Sequence, residues 1–584
     1  MSATPARVPL PLQTAFDRMK LTESTSSPEA ALQGVRVKST VLQDFRPLTG
    51  CLEWELSALH WNQAGLLPFL EDDVPFLINN SGRLSEHAAA LLFANLLEAP
   101  GEGPIPVLEL GAGTGLFARF FLDTFRAICR QEQRDFHERL VFYVSDQSPR
   151  TVEQWRERGQ FEGHPPGVVR AGSCDALAPG VFRIPASKAC GEQVIVLSGL
   201  RAIFGNYLLD VLPATILRQG PAGPEELRIR THLTEDRALL AQYTPLSPEE
   251  IRALAQSTDL EEKARLLPLL SLLEFESAFV PSEQPAALAA EALEEAKELE
   301  RVVLNQGALA SLEACLGLLD PAGFVLLNDY GPVRSDQVAG HTYSQRFGPT
   351  SATGLNFPFL ERYFTARGNA VEKTEDDDQR GIHTRLLMPR TLPASVASFH
   401  NRFGPSGSSF FDGPAQEARQ HLAAGRKNDA LEAFRLALSR SPRDWQLLGE
   451  IAEFVGLHLL DFQAGRELIR AALEQNPWYS PWLWNVLGDI LFLQKDIAGA
   501  HEAYLQAQRL HPRDARTNLN LAYSYFEFGD YARALEALAA AFAADVRGSY
   551  RPRLLEKQHQ ILGALSGRWL GEQERLARRA ERML

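Results

Sequence analysis

The chain has 584 residues, of which 45% are hydrophobic and 23% charged, as is ordinary for globular proteins. Its formal net charge of −14 argues against nucleic-acid binding as the main activity, because a surface that binds phosphates must be basic. The five cysteines are scattered, with no C-x-x-C pair, so we expect reduced thiols in a cytoplasmic protein and neither a disulfide framework nor a metal site.

The N-terminal segment, residues 1–45, is rich in proline, serine and threonine, and we predict that it is loosely ordered. It lacks the apolar core of a signal peptide. Nowhere does the chain contain about 18 consecutive apolar residues, the length that a membrane-spanning helix requires. We therefore expect no transmembrane helix.

The first distinctive stretch is a strand, a glycine-rich turn and a helix. Ile105 to Leu110 is an apolar run that carries one acid, Glu109, and Leu116 to Ile128 has helical periodicity. Between them, glycines occupy three alternate positions, Gly111, Gly113 and Gly115. Such a unit begins a nucleotide-binding α/β sheet, in which the missing Cβ atoms let the backbone approach a ligand.

The spacing of these glycines separates two classes of ligand. A dinucleotide-binding turn requires G-x-G-x-x-G, whereas here Leu116 holds the place reserved for Gly or Ala. The stretch E-L-G-A-G-T-G resembles the first motif of class I S-adenosylmethionine (SAM) methyltransferases. This resemblance implies SAM as cofactor, admitted by the three glycines and held at its methionine end by Glu109. A glycine turn without a ligand is the alternative.

Two acids follow predicted strands at the carboxyl edge of the same sheet. Asp146 follows the apolar run Leu140 to Ser145 and is placed to accept the ribose hydroxyls, although its 35-residue distance from Gly111 exceeds the usual spacing of about 20. Asp175 follows a short strand that begins at Val168. It is expected either to bind the adenine amino group or to be an ordinary exposed loop acid.

The next predicted strand, Gln193 to Ser198, leads to the candidate catalytic residues. Beyond it, Asn206 and Asp210 are four residues apart and would share one face of a helix. In class I methyltransferases the loop after this strand faces the transferred methyl group. The resemblance therefore implies that both side chains orient the acceptor atom.

This stretch also carries a narrower resemblance. Asn206, Asp210 and Pro213 fit the N-E-x-x-D-x-x-P signature of the MidA family, methyltransferase-like proteins that assist the assembly of mitochondrial complex I. Tyr207 replaces the acid of that signature. If the acid binds an arginine guanidinium in the family, its loss argues against arginine methylation by this chain. A fifth predicted strand that ends in D-Y-G, at residues 329–331, fits the same family.

About 125 residues separate the fourth and fifth predicted strands, although a crossover needs only about a dozen. Patterns such as EEIRALAQ predict a helical insertion at residues 220–305, which either shapes a substrate pocket or has no substrate contact. In the long loop after the fifth strand, His341 is either a proton acceptor or structural. Val371 to Thr374 and Ile382 to Met388 are predicted to form the hairpin that ends the sheet.

Beyond a predicted linker at residues 401–413, the sequence becomes periodic. Small residues recur at steps of 35, 35 and 34, at Ala430, Gly465, Ala500 and Ala534. Trp484-x-x-Leu-Gly488 resembles the start of the tetratricopeptide (TPR) consensus. We predict four TPR repeats over residues 414–546 and capping helices over 547–584. Four tryptophans are candidate anchors for a peptide or else packing residues: Trp445, Trp478, Trp482 and Trp484.

The predicted architecture therefore has two parts. Residues 46–400 form an α/β Rossmann-like class I methyltransferase domain with a seven-stranded, mostly parallel sheet, and the repeats form an all-α TPR solenoid. The implied function is SAM-dependent methylation, of a protein substrate if the TPR groove recruits it. A non-catalytic TPR adaptor or assembly factor, and a small-molecule methyltransferase that oligomerises through its repeats, are the alternatives. We expect a protein or peptide partner in the groove, and neither nucleic acid nor a membrane.

Overall fold

The computed structural model describes residues 39–70, 82–165, 167–186, 191–295, 301–338, 345–347, 350–545 and 548–582. The chain forms two compact units, the first mainly residues up to 408 and the second residues 409–584 together with 81–83. Residues 1–38, most of the segment predicted to be loosely ordered, lie outside the described residues, whereas the end of that segment forms a strand. Every helix in the described ranges is too short or too polar to span a membrane.

The first unit is built from strands and helices that alternate along much of the chain. Its strands are β1 (Ser39–Pro47), β2 (Ile105–Leu110), β3 (Leu140–Ser145), β4 (Val169–Cys174), β5 (Val181–Ile184), β6 (Gln193–Val196), β7 (Leu200–Asn206), β8 (Thr215–Gly220), β9 (Gly223–Thr234), β10 (Leu273–Pro281), β11 (Val302–Leu304), β12 (Leu319–Asp329), β13 (Gln345–Phe347), β14 (Thr350–Ala352), β15 (Ala370–Glu372) and β16 (His383–Met388). Its helices are α1 (Leu52–Ala64), α2 (Leu67–Leu70), α3 (Arg83–Glu98), α4 (Leu116–Gln131), α5 (Phe136–Arg139), α6 (Pro149–Glu157), α7 (Arg237–Tyr243), α8 (Pro248–Gln256), α9 (Leu260–Lys263), α10 (Ala286–Glu295), α11 (Gln306–Leu318), α12 (Ser335–Val338), α13 (Phe357–Ala366) and α14 (Pro393–Phe403). Short 3-10 segments lie at Leu48–Gly50, Leu209–Val211, Ala264–Leu272 and Asp377–Gln379.

The larger sheet has nine strands within the described residues, in the order β15-β16-β12-β7-β2-β3-β4-β5-β6. The five central strands, from β12 to β4, are parallel, and an antiparallel pair lies at each edge. In chain order the parallel strands are arranged 3-2-1-4-5, as in doubly wound dinucleotide-binding folds. The sheet is therefore mixed and Rossmann-like. The predicted number of seven strands is wrong because the hairpin β5–β6 extends one edge.

The fourth parallel strand also differs from the one predicted. Gln193–Val196, predicted to fill that place, is the outermost strand β6, whereas β7 lies beside β2 in the centre. Both segments are apolar, so hydrophobic periodicity does not distinguish them. The positions of the two strands in the sheet distinguish them. β7 is buried along nearly its whole length, whereas Val194 and Val196 of β6 are exposed at the sheet edge.

Helix α4 packs against the centre of this sheet through aromatic side chains. Phe117 and Phe121 on the helix contact Phe204 of β7, with ring centroids 5.2 Å apart in both cases. Phe121 also contacts Phe142 of β3 at 5.1 Å, and all four rings are buried. Because buried aromatic side chains contribute strongly to packing, this cluster fixes the helix after the glycine turn against the strands on either side of β2.

The second sheet is formed largely by residues 215–304, where the sequence predicts a helical insertion. Strands β8 to β11 pair antiparallel there, and β1 pairs with β9. The prediction of a largely helical insertion is therefore wrong, although α7, α8 and α10 account for the helical patterns. It missed β9, whose segment LRIRTHLT alternates apolar and polar residues, and the turn between Gly220 and Gly223 that joins β9 to β8.

The second unit is helical, and its helices pack largely as successive pairs. They are α15 (Pro405–Phe411), which spans the boundary in sequence, α16 (Gly413–Ala423), α17 (Lys427–Arg440), α18 (Trp445–Glu453), α19 (Phe462–Gln475), α20 (Pro481–Leu493), α21 (Ile497–Leu510), α22 (Ala515–Glu527), α23 (Tyr531–Ala544) and α24 (Arg551–Glu581), with a π-helical segment at Phe454–His458. Helices α16 to α23 form four pairs, three of which are joined by short loops, while the π-helical segment lies between α18 and α19.

The 35-residue period of the sequence corresponds to one helix pair. Ala430, Ala500 and Ala534 lie at equivalent positions of successive pairs and are fully buried. At the equivalent position of the second pair, a Cβ added to Gly465 would lie 2.7 Å from the Cα of Gly456 in the neighbouring π-helical segment. The small residues therefore permit close approach of two helices, as in TPR-like repeats.

Two predicted boundaries of this unit differ in the structure. The predicted linker at residues 401–413 is mostly helical, because Pro405 and Pro414 stand in the first turn of a helix, where proline is favourable. The predicted capping helices at residues 547–584 are one continuous helix, α24. It passes through Gly563, Gly567 and Gly571, since a glycine inside a helix weakens it without necessarily ending it.

Three of the four tryptophans predicted as candidate anchors make contacts within the unit, and a role of Trp478 as an anchor stays a prediction. Trp445 is buried. The Nε1 of Trp482 donates to Oε2 of Glu453 at 3.0 Å, and the Nε1 of Trp484 donates to the carbonyl oxygen of Pro477 at 3.2 Å. These contacts assign the three side chains to packing within the unit.

Candidate functional site

The candidate site lies at the carboxyl ends of the parallel strands, where the order of the sheet reverses. β2 is flanked by β3 on one side and by β7 on the other. In open α/β sheets the crevice at such a switch point is where ligands bind. The glycine turn and most of the predicted site residues follow these three strands.

The glycine turn has a backbone that favours glycine at each of its three predicted positions. The φ angles of Gly111, Gly113 and Gly115 are +63°, +52° and +70°. A Cβ added to Gly111 would lie 2.8 Å from Cδ1 of Leu208, and one added to Gly113 would lie 2.8 Å from Cζ of Phe69. The turn therefore requires glycine for conformation and for space alike.

Asp146, at the end of β3, holds the turn in place. Its Oδ2 accepts a hydrogen bond from the backbone N–H of Gly113 at 3.0 Å, and its Oδ1 accepts one from the N–H of Ser148 at 2.9 Å. A carboxylate offers about four acceptor positions, so Asp146 retains some for a ligand. Burial raises the pKa of Asp146 to about 6, against the lowering effect of these backbone hydrogen bonds.

Glu109 lies buried near the end of β2 with incomplete hydrogen bonding. Its Oε2 has no hydrogen-bond partner among the described residues. Burial, and secondarily the negative charge of Asp146, hold the pKa of Glu109 well above its usual range. A buried polar atom without a hydrogen-bond partner costs free energy of folding. The unpartnered oxygen of Glu109 therefore favours a ligand with a hydrogen-bond donor or a positive charge.

Asp175 lies at the same edge of the sheet but in different surroundings. It follows β4, is exposed, and its Oδ1 accepts a hydrogen bond from the N–H of Leu177 at 2.9 Å. This is a local turn of the kind aspartate commonly stabilises. No described contact joins Asp175 to the other site residues, and its role at an adenine ring stays a prediction.

The prediction that Asn206 and Asp210 share one face of a helix is wrong. Asn206 is the last residue of β7, and Asp210 lies in a short 3-10 segment. Between them, Tyr207 has a φ of +49° and donates its N–H to the carbonyl oxygen of Asn328 at 2.9 Å. The N–H groups of Leu209 and Asp210 donate to Oδ2 of Asp329 at 3.0 and 3.3 Å. These bonds hold the segment in a tight turn and exclude the α-helix that was predicted.

A line of hydrogen bonds orients the amide of Asn206. Its Oδ1 accepts from Nδ2 of Asn328 at 2.8 Å, and Oδ1 of Asn328 accepts from the hydroxyl of Thr384 at 2.7 Å. The Nδ2 of Asn206 is buried and has no partner among the described residues. The hydrogen bonds that run from Thr384 on β16 through Asn328 on β12 to Asn206 on β7 thus leave one amide donor available at the site.

Asp210 lies in a buried cluster with Asp329 and Tyr330, and the sequence analysis did not predict that these residues lie together. Its Oδ1 has no partner among the described residues, and burial raises its pKa to about 7. Burial, and secondarily the charge of Asp210, hold the pKa of Asp329 well above its usual range. Tyr330 is buried beside both, and burial raises the pKa of its hydroxyl.

The sequence held a signal for Asp329 and Tyr330. They belong to the D-Y-G stretch predicted to end the fifth strand, and β12 does end at Asp329. Since the carboxyl ends of parallel strands meet at one edge, both residues belong with Asn206 and the glycine turn. What the sequence did not indicate is that Asp329 accepts the backbone donors of the neighbouring loop.

His341, predicted as a candidate proton acceptor, lies outside the described residues. Within the described ranges, no group of three or more histidine, cysteine, aspartate or glutamate residues is arranged to hold a metal ion. A cavity of about 550 Å³ lies elsewhere in the unit, lined in part by Arg334, Glu361 and Lys373. None of the acids of the candidate site contributes to its lining.

We expect an Asp210→Asn variant to flatten the pH dependence of stability. The folded pKa of about 7 exceeds the ordinary 3.8, so the folded state binds the proton more tightly than the unfolded chain. This contribution is fully present below about pH 4 and is lost as the pH rises through 7, with a slope of at most about 1.4 kcal/mol per pH unit. The melting temperature of the first unit should therefore fall less between about pH 5 and pH 8 in the variant than in the wild type.

The control for this measurement is Asp336→Asn, which removes an exposed acid. A hydrogen bond from Arg334 lowers the pKa of Asp336, so its contribution has the opposite sign. This control should not flatten the fall toward high pH. An Asp210→Asn protein with the same pH slope as the wild type would contradict the raised pKa.

Comparison with known proteins gives no family assignment. No family model matches the chain, and no curated protein sequence matches it. Among solved structures, a methyltransferase-like protein from Burkholderia thailandensis bound to S-adenosyl-homocysteine is 14% identical, covering 68% of this chain and 98% of its own, with a TM-score of 0.39.

Two structures are similar to part of the chain. PilW, a type IV pilus biogenesis factor, is 17% identical, covering 30% of this chain and 78% of its own, with a TM-score of 0.26. MamA is 16% identical, covering 27% of this chain and 88% of its own, with a TM-score of 0.23. At these identities and TM-scores, none of the three carries an argument about the function of this chain.

Proposed function

We propose that the first unit is a SAM-dependent methyltransferase. The observation that carries the proposal is the glycine turn at the switch point of the sheet, bound through Gly113 to the carboxylate of Asp146. Beside it lie a buried acid with a free oxygen, Glu109, and a buried amide with a free donor, Asn206. A ligand at this place would meet backbone, acid and amide together.

The residues present fit SAM as the cofactor. SAM would take the space over Gly111 and Gly113, and the side chains of Leu208 and Phe69, which occupy that space, would have to move aside. Asp146 would accept the ribose hydroxyls with its remaining acceptor positions. Asp175 would take the adenine amino group, and Glu109 would hold the methionine end, whose ammonium supplies the donor that the free carboxylate oxygen lacks.

The charge of the site favours a cation. Glu109, Asp146, Asp210 and Asp329 are acids at one edge of the sheet, and burial raises the pKa of each of them. A positive ligand would favour their ionised forms and offset the cost of burying them. SAM carries a positive sulfonium as well as an ammonium, whereas S-adenosylhomocysteine (SAH) has lost the sulfonium charge.

When bound, SAM supplies an electrophilic methyl group. The chain's own contribution is orientation and proton handling. The Nδ2 of Asn206 would position the acceptor atom, since it is the donor that the relay from Asn328 leaves unused. The Oδ1 of Asp210 would accept the proton that the acceptor loses, and its pKa near 7 suits a base that works at neutral pH.

We further propose that the acceptor is a protein recruited by the repeats of the second unit. The support is that four helix pairs of this type form an array, and such arrays present extended concave surfaces for binding. A small-molecule acceptor, with repeats that serve oligomerisation, is the alternative. We propose a cytoplasmic location, and the support is that the four described cysteines are free thiols.

A non-catalytic adaptor is the second candidate function, and one observation favours it. Phe69 lies over Gly113 and Leu208 lies over Gly111, so side chains occupy the space directly above the turn. A cofactor would have to displace both. A scaffold that no longer binds SAM would keep them in place.

Calorimetric titration of the full chain with SAM and with SAH distinguishes these functions. We expect both to bind with dissociation constants in the micromolar range or below. The preference for SAM should increase from about pH 6 to about pH 8, because Asp146 and Asp210 ionise over this range and attract the sulfonium. Absence of binding by folded protein would favour the adaptor.

The class of acceptor is tested with SAM labelled in its methyl group. The full chain is incubated with cell extract, and label is measured separately in precipitated protein and in soluble metabolites. Label in protein supports the proposed acceptor class. Label in metabolites alone would assign a small-molecule acceptor.

A further inference from the structure

Helix α24 extends beyond the part of the second unit on which it packs. Its N-terminal half is anchored by Leu554 and Ile561, which are buried, and by the partly buried Leu565. In the projecting segment, residues 566–582, no side chain that the structure describes is buried. At 1.5 Å per residue, the segment is roughly 25 Å long. Its surface is therefore accessible to a binding partner.

One face of this part of the helix is apolar and exposed. Leu562, Trp569 and Leu576 follow one another at intervals of seven residues, and each is between 48% and 61% exposed. Seven residues make almost two full turns, so the three side chains lie along one line of the helix. Leu570 lies beside Trp569 and is exposed to a similar degree. We call these four residues the apolar stripe.

The other side of the projecting segment is basic. It carries five exposed arginines, which are Arg568, Arg575, Arg578, Arg579 and Arg582. At about 100° per residue, Arg575, Arg578 and Arg582 point to the far side of the helix, away from the stripe. Arg568 and Arg579 lie at one margin of the stripe. Five arginines and three glutamates give residues 566–582 a formal charge of +2, whereas the whole chain carries −14.

A second helix is a poor partner for the apolar stripe. Two paired helices require apolar residues at both the a and the d position of each heptad. If Leu562, Trp569 and Leu576 hold one of these positions, the other position falls either three or four residues later. The residues three later are Leu565, Glu572 and Arg579, and those four later are Ser566, Gln573 and Ala580. Neither set is apolar throughout, so the second apolar row of a helix pair is missing.

An anionic lipid surface fits the same residues. A helix that lies in the plane of a membrane interface needs one apolar face and a polar face rich in arginine or lysine, which acidic headgroups attract. Leu570 and Leu576 would enter the boundary of the acyl chains. Trp569 suits the level of the headgroups, because its ring is apolar and its N–H group is polar. Arg568 and Arg579 are long enough to reach headgroups from the margin of the stripe.

The glutamates of the projecting segment do not outweigh its arginines. Oε2 of Glu574 lies 3.9 Å from Nη2 of Arg578, and Glu572 lies one turn after Arg568 on the same side of the helix. The length of the segment exceeds the Debye length of about 8 Å at physiological salt, so charges on the helix pairs below it are largely screened from its end.

We propose that the apolar stripe and the arginines of α24 form a docking surface for an anionic phospholipid membrane. The helix would lie in the interface, because every helix among the described residues is too short or too polar to cross a membrane. This assignment replaces the expectation from the sequence that the chain has no membrane partner. It does not depend on the activity of the first unit.

Flotation of the full chain with lipid vesicles tests the proposal. Vesicles of phosphatidylcholine alone are compared with vesicles of phosphatidylcholine and phosphatidylserine in equal parts. We expect at least about ten-fold stronger binding to the mixed vesicles, because acidic headgroups attract the arginines. Raising the salt concentration from about 0.1 M to about 0.5 M should weaken this binding several-fold, since salt screens the attraction.

Two double variants separate the contribution of the stripe from that of the arginines. Trp569→Glu/Leu576→Glu should weaken binding to the mixed vesicles at least about ten-fold, because charges in the stripe oppose its entry into lipid. Arg575→Glu/Arg578→Glu should bind the mixed vesicles no better than the neutral ones. All four positions are exposed and lie beyond the packed half of the helix, so the second unit should keep its melting temperature.

The matched controls place the same changes elsewhere on the second unit. Leu436→Glu/Leu493→Glu alters two leucines that are almost half exposed, and Arg435→Glu/Arg533→Glu reverses two arginines whose side chains are about two thirds exposed. Both controls should bind the mixed vesicles as the wild type does. Loss of binding in either control equal to that in its partner variant would overturn the assignment to α24.

Three further results would overturn the proposal. The first is a folded wild type that binds neither kind of vesicle, and the second is binding that Trp569→Glu/Leu576→Glu leaves unchanged. The third is equal binding to both kinds of vesicle, which would exclude acidic lipid as the partner. A wild type that binds no vesicles but has twice the 64.7 kDa of one chain in sedimentation equilibrium, with the mass halved by Trp569→Glu/Leu576→Glu, would assign the stripe to a second copy.

Discussion

A Gly113→Arg variant is expected to lose measurable SAH binding while its fold persists. The position has a φ of +52°, and its backbone N–H is bound to Asp146, so the turn cannot move away from a new side chain. Any Cβ there already meets the ring of Phe69 at 2.8 Å. The arginine would occupy the cofactor space and would also pair with the acids that a cationic ligand needs. Calorimetric titration with SAH should show at least a 100-fold loss, roughly 2.7 kcal/mol or more.

The matched control is Gly368→Arg. This glycine also has a positive φ, +85°, but nothing lies within 4 Å of its Cβ position. The control therefore carries the same backbone strain and the same added charge at an open site, and it should bind SAH as the wild type does. Equal loss in both variants would mean that strain explains the result. Undiminished binding by Gly113→Arg would place the cofactor elsewhere.

An Arg385→Met variant is expected to destabilise the first unit by about 3–5 kcal/mol. The guanidinium is fully buried, donates to both carboxylate oxygens of Asp377 at 2.9 and 2.6 Å, and bonds Glu361 at 2.8 Å. Burial alone would raise the pKa of Asp377, but His383 and Arg385 together lower it to about 2. Removing the arginine leaves a buried negative charge without its main partner.

Scanning calorimetry of the full chain measures this effect, with the transition of the helical unit as an internal reference. Arg334→Met is the control, because that arginine also pairs with acids but is half exposed, and its loss should leave the melting temperature almost unchanged. Adding Asp377→Asn to Arg385→Met should recover part of the stability, since it removes the stranded charge. If the single variant melts like the control, the buried pair contributes nothing net.

Local sequence signals predicted the parts of the site that depend on neighbours in the chain. The glycine turn lies between a strand and a helix as predicted, and Asp146 follows its strand, because both features are set within a few residues. The same holds for the four helix pairs, because small residues such as Ala430 and Ala500 recur at the period of the pairs. Strong local patterns survive folding because nothing distant competes with them.

The predictions that were wrong concern segments whose structure depends on residues distant in the sequence. Asn206 and Asp210 show a four-residue spacing that suits a helix, but Asn328 and Asp329, more than 100 residues later, take up the backbone donors and hold a turn. The fourth strand was misplaced because apolar runs at an edge and at a centre look alike in sequence. β9 was not predicted, although apolar and polar residues alternate along it, because the segments around it have helical patterns.

The pairing of β1 with β9 has a consequence for the order in which the protein is made. Residues 39–47 leave the ribosome early, yet their partners at 228–234 follow almost 200 residues later. Loop closure over such distances is slow, and an unpaired strand edge invites aggregation meanwhile. The repeats make mostly contacts between neighbouring helices and need no such distant partner. During translation, β1 therefore stays without its partner strand until β9 has been made, and this is the interval in which a chaperone would protect it.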